Sequence, residues 1–182
     1  DFYNHELSFF LISNNDFTNK PEEILSNLRQ DIIPGTNLGW HNRTKSKHFD
    51  IYESLAKELS ELIDIDPWLI SSIHKNCTNI DFKNKKNIDN LASSVENVLA
   101  NIKEKYKEYN INLDPYCYVK ADNGTYGMAI MTVKNAEEIL LINKKQRNKM
   151  NMLKGNIANN QVIIQEGIPT IDNIEGSPLE PM

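Results

Sequence analysis

Two rhythms of apolar residues divide this chain. Up to Asp114 the dominant step is three or four positions. Phe49, Tyr52, Leu55, Ala56, Leu59, Leu62 and Ile63 mark the expected buried face of an amphipathic helix that starts near His48. Val95, Val98, Leu99, Ile102 and Tyr106 mark a second helix that runs out near Asn110. Asp66-Pro67 closes the first, and Lys83-Asn-Lys-Lys-Asn87 reads as a charged, exposed loop between them. Nearer the start, residues 7–13 are a compact apolar run bounded by Asn14, Asn15 and Asp16, which suits a buried strand. Residues 21–28 follow as a short helix with Pro21 in its first turn, and Pro34-Gly35 with Gly39 marks a loop.

After Asp114-Pro115 the pattern changes. Tyr116-Cys-Tyr-Val-Lys120 has the β-branched and aromatic character of a strand, and Met128-Ala-Ile-Met-Thr-Val133 is a second. Asn135 with Glu138 is a capping pair that opens a helix, and Asn143 to Met150 reads as the basic C-terminal turn of a helix. Val162-Ile-Ile-Gln165 is a third strand, followed by Gly167 and Pro169. The expected fold class is α/β (α+β), in two regions. Residues 1–114 form a helical lead-in and residues 115–182 a strand–Gly loop–strand–helix–strand unit.

The chemistry concentrates in Asp122-Asn-Gly-Thr-Tyr-Gly127, which joins the first two of these strands. Gly124 and Gly127 can take positive φ and turn backbone N–H groups into one concavity, as a phosphate cradle requires. Lys120 ends the incoming strand, where its ammonium would meet the same oxygens. No Gly-Lys-Ser/Thr follows and the loop leads into a strand, so neither the Walker pattern nor the dinucleotide fingerprint applies. Taken alone, the loop suits a plain hairpin equally well. Strand–Gly loop–strand is, however, the phosphate lid of the ATP-grasp architecture. Gln165 and Glu166 end the third strand, where adenine would lie against backbone and one polar side chain. Glu166 by itself is as readily a solvated strand end.

Composition narrows the partners. Lys and Arg number 20 against 25 Asp and Glu, a net charge of −5, without a basic stripe to track a phosphate backbone. Nucleic acid is therefore not an expected partner. Apolar runs stay far short of the roughly 18 to 20 residues that cross a bilayer. The two cysteines, Cys77 and Cys117, have neither metal-ligand nor redox spacing and read as buried thiols, so a reducing cytoplasm is the expected compartment. Asp1 at the start and Pro178-Leu-Glu-Pro-Met182 at the end give the look of a segment from something longer. Trp68, after Pro67, reads as a core residue more readily than as a stacking platform. Arg43, Lys45 and His48 cluster around Trp40 and His41, a group suited to a substrate carboxylate or to a solvated basic helix start.

Longer motifs carry a family likeness. Val119 to Val133, Asn143 to Met150 and Val162 to Gly167 resemble the proteobacterial-type glutamate–cysteine ligases, as do Asn14-Asn-Asp16, Gly39 to Arg43, Lys45 to Phe49, Ile65 to Ile70 and Lys105 to Tyr109, in the same order. Asn123 and Ala129 stand where small or Gly residues are expected, and Thr44 where a second Arg is. The resemblance implies an ATP-dependent ligase that joins the glutamate side-chain carboxylate to cysteine through an acyl phosphate, the first step of glutathione biosynthesis. It implies that Lys120, Gly124, Thr125, Tyr126 and Gly127 hold ATP phosphates, that Gln165 and Glu166 face adenine, and that Trp40, His41, Arg43 and Lys45 lie on the substrate side. Mg²⁺ is implied as well, with ligands expected beyond Met182, so these residues alone are expected to be inactive. Two other readings stay open: a non-catalytic nucleotide-binding remnant, and an ATP-grasp ligase with different substrates.

Overall fold

The computed structural model describes residues 10–12, 25, 27–38, 44–123, 127–151, 158–170, 172–175 and 177–178. Its centre is a four-stranded antiparallel sheet in the order β3-β6-β4-β5, built from β3 (His74–Thr78), β4 (Cys117–Ala121), β5 (Ile130–Val133) and β6 (Gln161–Glu166). The helix α2 (Ile88–Glu108) covers one face. Its Leu91, Val95, Val98 and Ile102 are buried with Cys117 and Val119 of β4 and Val162 and Ile164 of β6, which the strand pleat places on that side. Asp89 in the first turn of α2 and Lys105 and Lys107 in the last match the helix dipole at both ends. The mixed helix and antiparallel sheet content agrees with the α+β expectation, and no helix among the described residues is long and apolar enough to cross a membrane.

β3 has no apolar run to announce it. His74, Lys75, Asn76 and Thr78 are polar, and only Cys77 of this strand packs on the core. An edge strand bonded to β6 alone can keep polar side chains toward water, so its hydrophobic signal is thin. Because β3 and α2 precede Asp114, the core takes elements from both sides of that position.

α1 (Lys45–Ile63) is the first amphipathic helix, and its buried face differs from the expected one. Ala56 and Ser60 are buried, while Tyr52, Leu55, Leu59, Leu62 and Ile63 are exposed, Leu62 by 83%. Small side chains let the helix approach the rest of the structure along the Ala56–Ser60 strip. Periodicity revealed an apolar stripe but not the direction in which the helix would pack.

Asn135 and Glu138 do pair ahead of a helix, with Glu138 N donating to Asn135 Oδ1 at 3.1 Å and Asn135 Nδ2 to Glu138 Oε1 at 3.2 Å, although the N-cap position itself is Ala136. The helix they open, α3 (Glu137–Leu140), is a single turn. Asn143 then starts a separate helix, α4 (Lys144–Asn151), through a second pair in which Gln146 N donates to Asn143 Oδ1 at 2.9 Å and Asn143 N to Gln146 Oε1 at 3.0 Å. The basic run is thus a short helix of its own rather than the last turn of the helix opened at Asn135. Two short pairs complete the fold: β1 (Phe10–Ile12) parallel to β2 (Asp31–Ile33), and β7 (Asn173–Ile174) antiparallel to β8 (Ser177–Pro178). Most of the expected helix at residues 21–28, and the turn formers Asn14, Asn15 and Asp16, lie outside the described residues.

Candidate functional site

The register of β4 and β6 sorts their side chains. Tyr118 pairs with Gln165 and Lys120 with Ile163, so these four share the face opposite α2. There Lys120 Nζ donates to Gln165 Oε1 at 2.9 Å and lies 4.9 Å from the centre of the Tyr118 ring. Gln165 Nε2 in turn donates to Ser72 Oγ at 3.1 Å.

The start of α1 meets the same place. Thr44, standing where a second Arg was expected, is its N-cap. Lys45 Nζ donates to Ala121 O at 2.7 Å and to Asp122 O at 3.4 Å. Ser46 donates through its N and Oγ to the two carboxylate oxygens of Asp122, at 2.7 and 2.8 Å. The first turn of α1 carries no acidic residue of its own. Asp122 supplies negative charge to that dipole end from across the fold, which locks the helix start to the first residue of the Gly loop. Burial lowers the pKa of both lysines. At Lys45 the Asp122 carboxylate opposes this and the Lys120 charge adds to it. Two ammonium groups that influence each other beside a glycine loop are well arranged to share a polyanion.

Beside Gln165 opens a cavity of about 790 Å³. Phe49 and Tyr52 of α1, Trp68 and Leu69 of the turn beyond it, and Ile168 and Pro169 after β6 give it apolar walls, with Ser72 and Gln165 among its few polar groups. Such a lining suits a flat heteroaromatic ring. Gln165 belongs to the cavity and, through its amide oxygen, to Lys120, so it links the cavity to that ammonium.

Glu166 turns the other way, because adjacent strand residues face opposite sides. Its buried carboxylate accepts from Trp68 Nε1 at both oxygens, 3.1 and 3.0 Å, and from Ile73 N at 2.9 Å, and it touches the cavity from that side. Burial raises its pKa against the pull of these N–H groups.

Of the residues singled out from sequence, the structure brings together Lys45, Lys120 and Gln165, and places Gly127 in the left-handed region at φ +67°. Nothing lies within 4 Å of a Cβ built on Gly127, so backbone angle rather than crowding favours glycine there. Trp40, His41, Arg43, Gly124, Thr125 and Tyr126 lie outside the described residues. Sequence reasoning missed Ser46, Ser72 and the docking role of Asp122, whose partners are 76 positions away. Cys117 is buried as expected, with desolvation pushing its thiol up to about 12, whereas Cys77 is half-buried.

The model of the family described as "GshA: Glutamate-cysteine ligase" matches residues 4–182. A solved structure from Methylobacillus flagellatus KT, named "Putative gamma-glutamylcysteine synthetase", is 42% identical and superposes with a TM-score of 0.79 over 89% of this chain. This chain covers 38% of that one. Curated proteins provide no match. The chain belongs to the glutamate–cysteine ligase family.

Proposed function

We propose that this protein serves the ATP-dependent joining of glutamate, through its side-chain carboxylate, to the amine of cysteine, the first step of glutathione biosynthesis, in the cytoplasm. The observation that carries the ATP assignment is Gln165, which lines an apolar cavity of about 790 Å³ and also binds Lys120 at the mouth of the Gly loop. Adenine occupies the cavity, at the end where Gln165 and Glu166 meet it, and the phosphates extend toward Lys120 and the loop segment Gly124, Thr125, Tyr126 and Gly127. Lys45, first read as a substrate ligand, joins Lys120 on the phosphates. Trp40, His41 and Arg43 take the amino-acid substrate side.

Making an acyl phosphate and letting an amine displace it asks for charge neutralisation and alignment more than for a protein nucleophile. Lys120 and Lys45 neutralise, the loop backbone orients, and the apolar cavity excludes water from the base. The Mg²⁺ that the family implies finds no group of three or more His, Cys, Asp or Glu side chains among the described residues, and the roles above are those of the chain's own groups. The 182 residues alone are expected to bind ATP without turnover.

The test uses the full-length protein with Mg-ATP, glutamate and cysteine. ADP should form only when glutamate is present, with γ-glutamylcysteine as product. Absence of ADP formation sinks the reading, and a product from another amine points to an ATP-grasp ligase of different substrates.

A further inference from the structure

Glu166 is 4% exposed, and each hydrogen bond described to its carboxylate comes from a neutral N–H group of Trp68 or Ile73. Two of these contacts, one at each carboxylate oxygen, hold the indole in place, and the third ties the carboxylate to the Ile73 backbone. Trp68 is gripped a second time through its backbone, since its N donates to Asp66 Oδ1 at 2.9 Å. Asp66 is itself held by the Lys105 ammonium and by Tyr109 OH at 2.8 Å. Around the indole, the Tyr109 ring centre lies 5.0 Å away and that of Tyr106 6.3 Å away. Trp68 nonetheless lines the cavity beside Phe49 and Tyr52. A large ring fixed at both its backbone and its one polar atom loses little freedom when a flat ligand stacks on it.

We infer that Trp68 is the stacking wall for the base of a purine nucleoside triphosphate, and that Glu166 is a positioning residue acting through the Trp68 indole rather than a reader of the base. This rests on the ATP site proposed above and assigns a division of labour within it. A carboxylate that read the base would discriminate the 6-amino group of adenine from the 6-oxo group of hypoxanthine. One that only holds the indole affects both bases alike.

The experiment measures ATP and ITP with the full-length protein, by tryptophan emission and by steady-state kinetics. Both nucleotides should quench emission in the parent, and Trp68→Phe should remove that change, with Trp40 the other indole among these 182 residues. Glu166→Ala should raise KM for ATP and for ITP by the same factor, about tenfold, with kcat changed less than about twofold. Glu166→Gln, which keeps an acceptor for the indole N–H, should restore KM to within about threefold of the parent. In the Trp68→Phe background, which has no indole N–H, Glu166→Ala should add nothing further. A changed ATP-to-ITP preference in Glu166→Ala, or parental ATP affinity in Trp68→Ala, overturns the inference. A parent that binds and hydrolyses ATP while Trp68 stays silent refutes only this inference, whereas a parent that does neither refutes the proposed function.

Discussion

A Cβ on Gly167 would stand 2.0 Å from the Tyr116 ring, far inside contact distance. Gly167→Ala is therefore expected to cost about 1–3 kcal/mol through forced movement of that ring or of the strand end, read as a lower thermal midpoint. It should also raise KM for ATP, because Gly167 leads directly into Ile168 and Pro169 of the cavity wall. The glycine is visible in the sequence as a strand ender, but its reason is a ring 51 positions away in the chain, which no local pattern encodes. Lys120 is the opposite case, legible from its place before the loop. Lys120→Ala should raise KM for ATP or lower kcat by about tenfold or more, on the order of 1.4 kcal/mol, and parental kinetics would remove it from the phosphate site. Ala129, flagged in sequence as standing where glycine or a small residue is expected, does sit in the left-handed region at φ +50°. Asn79, Asn87 and Asn110 also adopt positive φ, so at these positions asparagine meets a backbone need.

At the scale of elements, the two motifs Ile65 to Ile70 and Lys105 to Tyr109, separate in sequence, meet through Asp66. Its carboxylate caps the turn at Trp68 and receives Lys105 and Tyr109 from the end of α2. The Lys105 bond first, then the Trp68 N–H, hold the Asp66 pKa below its ordinary value. A depressed carboxyl pKa contributes stability that is full above the unfolded value, near about 4, and is lost as pH falls through the folded one. Asp66→Asn should thus cost about 1–3 kcal/mol at neutral pH and flatten the acid limb of stability, measured as urea midpoints from about pH 6 down to about pH 2. An unchanged acid limb would remove Asp66 from this role. The helices α1 and α2 are legible from their period, because packing of one face repeats every turn, whereas α3 and α4 are too short to show one. The partner of α1 is not legible, since Ala56 and Ser60, rather than its leucines, are the residues it buries.

For the molecule as a whole, stability lies where α2 meets the sheet. Leu91, with no exposure, should cost about 2–5 kcal/mol as Leu91→Ala, whereas Leu62→Ala on the outer stripe of α1 should stay within about 0.5 kcal/mol in the 182-residue chain. Chemical denaturation of the two variants checks this contrast, and equal losses would mean that α1 packs differently. The sequence by itself determined α2, the strands β4, β5 and β6, the Asn135–Glu138 pair and the place of the Gly loop, because each depends on neighbours within a few residues. Only the tertiary structure decided that polar β3 completes the sheet edge, that Asp122 docks the start of α1, that Lys45 joins Lys120, that Lys120 binds Gln165 and that Glu166 holds the Trp68 indole. Those outcomes depend on contacts between residues 45 to 98 positions apart. Their free energy comes from burial and hydrogen bonding that exist only once distant segments are packed.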